Sequence, residues 1–303
     1  MNHAVGDGGR PGDGNRISGH AVVTPFSAVD TLILTDLDGT LIPAYTSSPE
    51  MARHTADLRE LCRRLLSLPR LALVCVTGRR ALNAREILAS PLWIAGVHGA
   101  ELLAPYCGEP LPHPRSLPHL PTVRRMARTI RELRLCPPEM HVEDKGVVLA
   151  LHHPRAPADR AANRLSRLIS LASASGLDVV AGRGWTELRP PSSPHKGDAV
   201  TEMVRRWRPR RVVVAGDDHG DVAMFEAAGR MAKEGLVEQA ICVAVSSRGA
   251  DPESLRRAHV ILEGPAACRA WIRSCASPFT PQVPAASSRH RLRAEPARRD
   301  TER

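Results

Sequence analysis

Three aliphatic runs in this sequence end in residues able to handle a phosphate group. In LILTDLDGTL (32–41) two carboxylates two residues apart, Asp36 and Asp38, follow the apolar stretch, with Gly39 and Thr40 behind them. Carboxylates at the C-terminal end of a buried parallel strand sit where open α/β sheets place their ligands. Asp36 can attack an electrophile, and Asp38, carried on the turn that Gly39 permits, can exchange protons with the leaving or attacking oxygen. The competing reading is a polar turn, because Asp-Gly pairs mark turns in many proteins. The second run, LALVCV (71–76), delivers Thr77, Gly78 and Arg79. The Thr77 hydroxyl either donates to a phosphate oxygen beside free backbone N–H groups or caps the helix that follows. The third run, 211–215, leads into Gly216, Asp217, Asp218, His219, Gly220 and Asp221.

If the strands ending at 35 and 215 are neighbours, Asp36, Asp38, Asp217, Asp218 and Asp221 form one acidic cluster. Packed carboxylates repel, and a hard cation relieves them; a few carboxylates with water and a phosphate ligand suit Mg²⁺. The ion would steer phosphate onto Asp36, with Lys196 and Thr77 stabilising the transferred oxygens. Of 42 basic residues only Lys145, Lys196 and Lys233 are lysine. A chain that otherwise uses arginine has kept a compact point charge at two places that want one.

Positioning these residues requires a sheet. The apolar runs near 32–35, 71–76, 92–97, 211–215 and 241–245 read as buried parallel strands, with helices near 49–68, after Arg79, from Lys196 to 204 and near 265–275. Between them the composition shifts to Pro, His and Leu over 105–121, which predicts a hinge or linker. Beyond it the periodicity gives helix 121–134, strands 141–143 and 147–152, helix 159–175, and strands 177–181 and 185–189. That order, αββαββ, reads as a small sheet with two helices on one face. The fold class is therefore α/β, a parallel-sheet core with a smaller inserted α+β cap. The expected boundaries are a disordered tail over 1–25, core over 26–108 and 190–277, cap over 109–189 and a disordered basic tail over 278–303.

At 303 residues with 43% hydrophobic content the chain can bury a sizeable core, and with 3% aromatics that core must be aliphatic. The net charge of +10 invites a nucleic-acid reading. Its distribution argues otherwise: the basic residues concentrate in the C-terminal tail and on one helix face (Arg124, Arg125, Arg128, Arg131, Arg134), with no stacking aromatics between them. No apolar run reaches membrane-spanning length, so the expectation is a cytoplasmic protein with no nucleic-acid or membrane partner; the oligomeric state stays open, a monomer being compatible with it. The seven cysteines include no Cys-x-x-Cys pair and read as free thiols.

The motifs together resemble a known family. DLDGTL matches the first motif of the haloacid dehalogenase superfamily, TGR the second, the lysine of PHKGDA the third and GDDHGD the fourth. The segments GVHGAE, VEDKGVVLALHH and WTELRPPSSPHKG look like those of trehalose-6-phosphate phosphatases. This resemblance implies a Rossmann-like (haloacid dehalogenase-like) core and hydrolysis of trehalose 6-phosphate through an aspartyl-phosphate. Asp36 would be the nucleophile, Asp38 the acid/base, and Mg²⁺ would be held by Asp36, the Asp38 carbonyl and the 217–221 loop. Arg79, His98, Gly99, Glu143 and Lys145 are the expected substrate-binding residues. The last two, two apart at a strand turn, either meet the distal glucose or form an exposed ion pair. The sequence departs from the family at Val97, Pro154, Gly220 and Val222, where Ser, Arg, Thr and Glu are usual. Two alternatives remain: a phosphatase of the same mechanism for another sugar phosphate or a trehalose-like pseudodisaccharide phosphate, and a non-catalytic sugar-phosphate-binding regulator.

Overall fold

The computed structural model describes residues 29–44, 48–136, 138–154, 159–182, 184–246, 250–275 and 290–292, with backbone alone for 48–53 and 290–292. The predicted tail 1–25 lies outside them.

The chain opens with β1 (Thr31–Thr35), α1 (Ser48–Leu66), β2 (Leu71–Val76), α2 (Ala81–Leu88) and β3 (Trp93–Gly96), followed by the short β4 (Glu101–Leu103) and β5 (Leu111–Pro112). After α3 (Leu120–Glu132) come β6 (His141–Asp144), β7 (Leu149–His152), α4 (Asp159–Ala174), β8 (Asp178–Gly182) and β9 (Trp185–Arg189). The chain then returns through α5 (Lys196–Trp207), β10 (Arg211–Gly216), α6 (His219–Lys233), β11 (Gln239–Ser246), α7 (Pro252–Arg257), β12 (Val260–Glu263), α8 (Gly264–Cys275) and β13 (His290–Leu292).

The main sheet runs β13-β12-β11-β10-β1-β2-β3-β4-β5, parallel from β13 to β3 and antiparallel at the β4–β5 end. Strand β1 lies at its middle, and the chain winds from it toward β3, then returns at β10 and winds the other way. The β1–β10 junction is thus the switch point, with Thr35 opposite Ala215. Alternate residues of β1 face opposite layers: Ile33 packs with α1, α2 and α8, while Leu32 and Leu34 pack with α5 and α6. Burial on both faces explains why these strands read as continuous aliphatic runs.

The predicted αββαββ unit forms a separate sheet, β6-β7-β9-β8, all antiparallel. The apolar stripes of α3 (Val123, Met126, Ile130) and α4 (Leu168, Ala172) close with Leu149, Leu151 and Leu188 into its own core. A small apolar contact, Val97 and Ala100 against Val147 and Val148, joins this cap to the core.

The Pro-rich stretch read as a hinge or linker runs from β4 to α3 and adds strand β5 to the main sheet; Pro112 is tolerated there because an edge strand need not donate on its outer side. Strands β4 and β12 and helix α7 are too short to show periodicity. Of the segment predicted as a basic tail, His290–Leu292 pairs parallel with β12 and the rest lies outside the described residues. No helix among the described residues is long and apolar enough to cross a membrane.

One long-range bond ties the far end of the chain to the turn after β1. The buried Arg269 guanidinium on α8 donates to the Leu41 carbonyl at 2.6 Å and lies 3.5 Å from Asp57. Arg269→Met leaves that carbonyl without its donor, and we expect a loss of about 1–3 kcal/mol in denaturant unfolding. An unchanged unfolding midpoint would show that the bond carries no net stability.

Candidate active site

The site begins in the knot that ends β1. Leu37, fully buried, separates Asp36 from Asp38, and its carbonyl accepts from the N–H groups of Leu41 (2.9 Å) and Ile42 (3.0 Å). Gly39 adopts φ +84°, and a Cβ there would sit 2.1 Å from Asp217 Oδ2. Only glycine serves both demands: a left-handed turn and the close approach of a carboxylate from the neighbouring strand. Thr40 donates its hydroxyl to Asp217 Oδ1 at 3.0 Å, so the β1 turn and the β10 turn are locked together.

Lys196 opens α5, whose N-terminus is fixed by a capping box between His195 and Asp198. That fixes where the buried ammonium enters: Nζ donates to Asp36 Oδ1 at 2.9 Å and to Asp221 Oδ1 at 2.7 Å. Burial alone would lower the Lys196 pKa, but the Asp221 and Asp36 carboxylates outweigh it and hold the ammonium well above its ordinary value. Asp221 Oδ2 accepts from the N–H groups of Asp217 (2.9 Å) and Asp218 (3.1 Å).

Carboxylate oxygens of Asp36, Asp217 and Asp221 lie within 4.8 Å of one another. Burial raises the Asp36 carboxyl pKa against the pull of Lys196, and burial with the Asp221 charge pushes Asp217 to about 7. Three clustered buried carboxylates, two of them bonded to one ammonium, form a hard-oxygen set that fits a divalent cation such as Mg²⁺.

The carboxylates of the other two predicted ligand residues also border the cavity, each engaged by other groups of the protein. Asp38 is gripped by Arg79, whose Nε and Nη2 each donate to it at 2.6 Å, and Asp218 caps α6 by accepting from Asp221 N at 3.1 Å. Thr77 is fully buried and lines the cavity, and its hydroxyl accepts from Arg79 N at 3.2 Å. It does not cap α2; there Glu101 Oε1, arriving from β4, accepts from Ala81 N at 2.6 Å.

Above these residues a cavity of about 380 Å³ opens between core and cap, lined by Asp36, Asp38, Thr77, Arg79 and Lys196 below and by Glu143, Lys145 and Glu187 above, with His98 at the side. Lys145 and Glu143 do not pair with each other. The nearly buried Lys145 ammonium donates to Glu187 Oε1 at 3.1 Å and, across to the core, to the Gly78 carbonyl at 2.9 Å. Glu143 instead meets His152 Nε2 at 3.0 Å. Gly99, a predicted sugar contact, does not line the cavity; at φ +101° it packs against α5, with a hypothetical Cβ 3.3 Å from the His195 carbonyl.

Sequence reasoning did not find Glu187. It is buried in β9, bonded to Arg189 at 2.5 Å and 3.8 Å from His98 Nε2. Burial would raise its pKa, but His98, Lys145 and Arg189 together hold the carboxyl well below the usual range. Burial lowers the pKa of His98 itself, against the pull of the Glu187 carboxylate. The available signal was the acid between Thr186 and Leu188 in the middle of a strand.

A carboxyl whose pKa is lower folded than unfolded stabilises above its unfolded value, here 4.5, and loses that contribution as pH falls toward the folded value. Glu187→Gln should therefore have a lower Tm than wild type at neutral pH, the gap closing as pH drops below about 4.5. A gap that stays constant in thermal scans across that range would rule out this linkage.

Comparison with known proteins gives the same direction. The trehalose-phosphatase family model matches residues 34–257. A bifunctional trehalose-6-phosphate synthase/phosphatase of Thermoproteus tenax is 36% identical over 212 residues, 66% of this chain and 28% of that one. A trehalose-phosphate phosphatase of Mycobacterium marinum is 28% identical over 204 residues, 64% of this chain and 50% of that one. The chain thus aligns with half or less of either relative. The C-terminal domain of C. albicans trehalose-6-phosphate phosphatase superposes with TM-score 0.59 at 20% identity, over 82% of this chain and 92% of that domain, a likeness of fold. With the family model spanning most of the sequence and every matched motif converging on one cavity, the chain belongs to the trehalose-phosphatase family.

Proposed function

We propose that the chain is a Mg²⁺-dependent phosphatase that hydrolyses trehalose 6-phosphate to trehalose and phosphate. The observation that carries this is the single cavity in which Asp36, held by a buried lysine, faces a cap wall of Glu143, Lys145 and Glu187. A core that reads phosphate needs a second surface to read the sugar, and buried carboxylates are strong acceptors for hydroxyl groups.

Asp36 attacks phosphorus and the bond to the sugar oxygen breaks, with Asp38 giving that oxygen a proton. Water then attacks the aspartyl-phosphate and gives its proton to Asp38, releasing phosphate and restoring Asp36. Arg79 fixes the Asp38 carboxyl through its two parallel bonds. Lys196 keeps Asp36 oriented and, with the Thr77 hydroxyl, offers donors to the transferred oxygens. Asp36, Asp217 and Asp221, together with the main-chain carbonyl of Asp38 that the family resemblance adds, would hold the Mg²⁺, which would supply positive charge against the developing negative charge on phosphate.

Asp36→Asn should abolish phosphate release from trehalose 6-phosphate while leaving the circular dichroism spectrum unchanged, and Asp38→Asn should cost roughly 10²- to 10⁴-fold in kcat. Retention of more than a few per cent of wild-type turnover by the first variant would exclude Asp36 as the nucleophile. Excess chelator should remove activity and Mg²⁺ restore it; full turnover in chelator would remove the metal from the scheme. Glucose 6-phosphate assayed alongside separates a trehalose-phosphate enzyme from a general sugar phosphatase.

A further inference from the structure

The cap sheet presents two tiers to the cavity. Its register places Glu143, Ala150, Glu187 and Val180 in one row across β6, β7, β9 and β8, and His141, His152, Trp185 and Gly182 in the next. The first row is nearer the core, since Lys145 follows β6 and donates to Gly78. The second lies two residues farther along the strands, roughly 7 Å away. Of these, Glu143, Ala150 and Glu187 in the first row and His152 and Trp185 in the second line the cavity, so the carboxylates lie nearer the core and the aromatic rings farther out.

Trp185 dominates the outer tier. The chain has four tryptophans, and three of them, Trp93, Trp207 and Trp271, pack into or against the two core layers. Trp185 instead lines the cavity that contains Asp36. Its indole lies across residue 182 of the next strand: Cε2, Cζ2 and Nε1 are 2.1, 2.3 and 2.6 Å from where a Cβ would stand. Glycine at 182 is what lets the ring lie there. Beside it His152 and His141 stack, centroids 6.1 Å apart and planes 23° from parallel, and His152 bonds Glu143. A flat apolar face beside hydrogen-bonding carboxylates suits a pyranose, which has hydroxyls round its edge and C–H groups on its faces.

We infer that Trp185 is a stacking platform for a sugar ring, a subsite for the pyranose farther from the phosphate, whose hydroxyls the inner tier would meet. This deepens the trehalose-phosphate reading and rests on it. The platform makes selectivity between disaccharide and monosaccharide phosphates depend on an aromatic face, whereas a purely structural Trp185 would need only bulk over Gly182.

The test compares Trp185→Leu, which keeps apolar cover but has no ring, with Trp185→Phe, which keeps one. Steady-state kinetics are measured with trehalose 6-phosphate, glucose 6-phosphate and p-nitrophenyl phosphate. The expected result for Trp185→Leu is a fall of roughly 10-fold in the ratio of kcat/KM for the disaccharide phosphate to that for either smaller ester, appearing in KM, with Trp185→Phe restoring most of it. Wild-type tryptophan emission should also change on titration with free trehalose, and the change should be absent in Trp185→Phe. Selectivity unaltered in Trp185→Leu, or an emission change that survives in Trp185→Phe, overturns the platform. If wild type itself does not prefer the disaccharide phosphate, the trehalose reading fails. The emission titration, repeated with glucose and needing no turnover, then decides the platform separately: a response to either sugar that is lost in Trp185→Phe supports it, and no response to either refutes it.

Discussion

A single buried ammonium holds the reactive end of this molecule together. Lys196 touches a carboxylate from the turn after β1 and another from the start of α6, 160 and 25 residues away in sequence. Without it those carboxylates would be buried and uncompensated, a far costlier state than never having buried them. The demand propagates outward: α5 must start at one place, hence the His195–Asp198 box, and β1 must lie beside β10, hence the reversal of winding at the centre of the sheet. Arginine could not substitute readily, because its planar fork presents donors in a fixed geometry, whereas a compact ammonium fits between two carboxylates that do not share a plane.

The cap repeats the same physics with the signs exchanged. There a buried carboxylate, Glu187, is compensated by the cations of Lys145 and Arg189, with His98 close by. One centre has carboxylates in excess and attracts a cation; the other has cations in excess around one carboxylate and leaves donors for oxygen-rich ligands. The phosphorylated sugar and metal of the proposed function would be divided in the same way.

Much of the core was legible because strand ends and chemistry coincide. Asp36, Thr77 and Asp217 each follow an aliphatic run long enough to be read as a buried strand, and a lysine at 196 stands out in an arginine-rich chain. The cap's αββαββ order was legible from periodicity. Glu187 was not, because its meaning depends on Lys145, 42 residues away, and nothing local marks an acid in a short strand as buried. The reading of Gly99 as a contact followed a motif without knowing which of its residues face inward. The 105–121 stretch does connect β4 to α3, and its composition hid only the two-residue strand within it, since proline is absent from central strands but not from the edge strand that Pro112 occupies.

The bond from Lys145 to the Gly78 carbonyl has a consequence for traffic through the cavity. Lys145 rides on the cap, and Glu187 rides on it too, so lifting the cap leaves that ion pair whole. What would part is one hydrogen bond to a neutral acceptor, worth about 1.5–3 kcal/mol, the small apolar contact between Val97, Ala100, Val147 and Val148, and the approach of His98 on the core to Glu187 on the cap. No opposite charges are separated by the Lys145 clasp when the cavity opens there. Dissolved salt, which screens charges but barely touches a neutral acceptor, therefore has little hold on this one contact between cap and core.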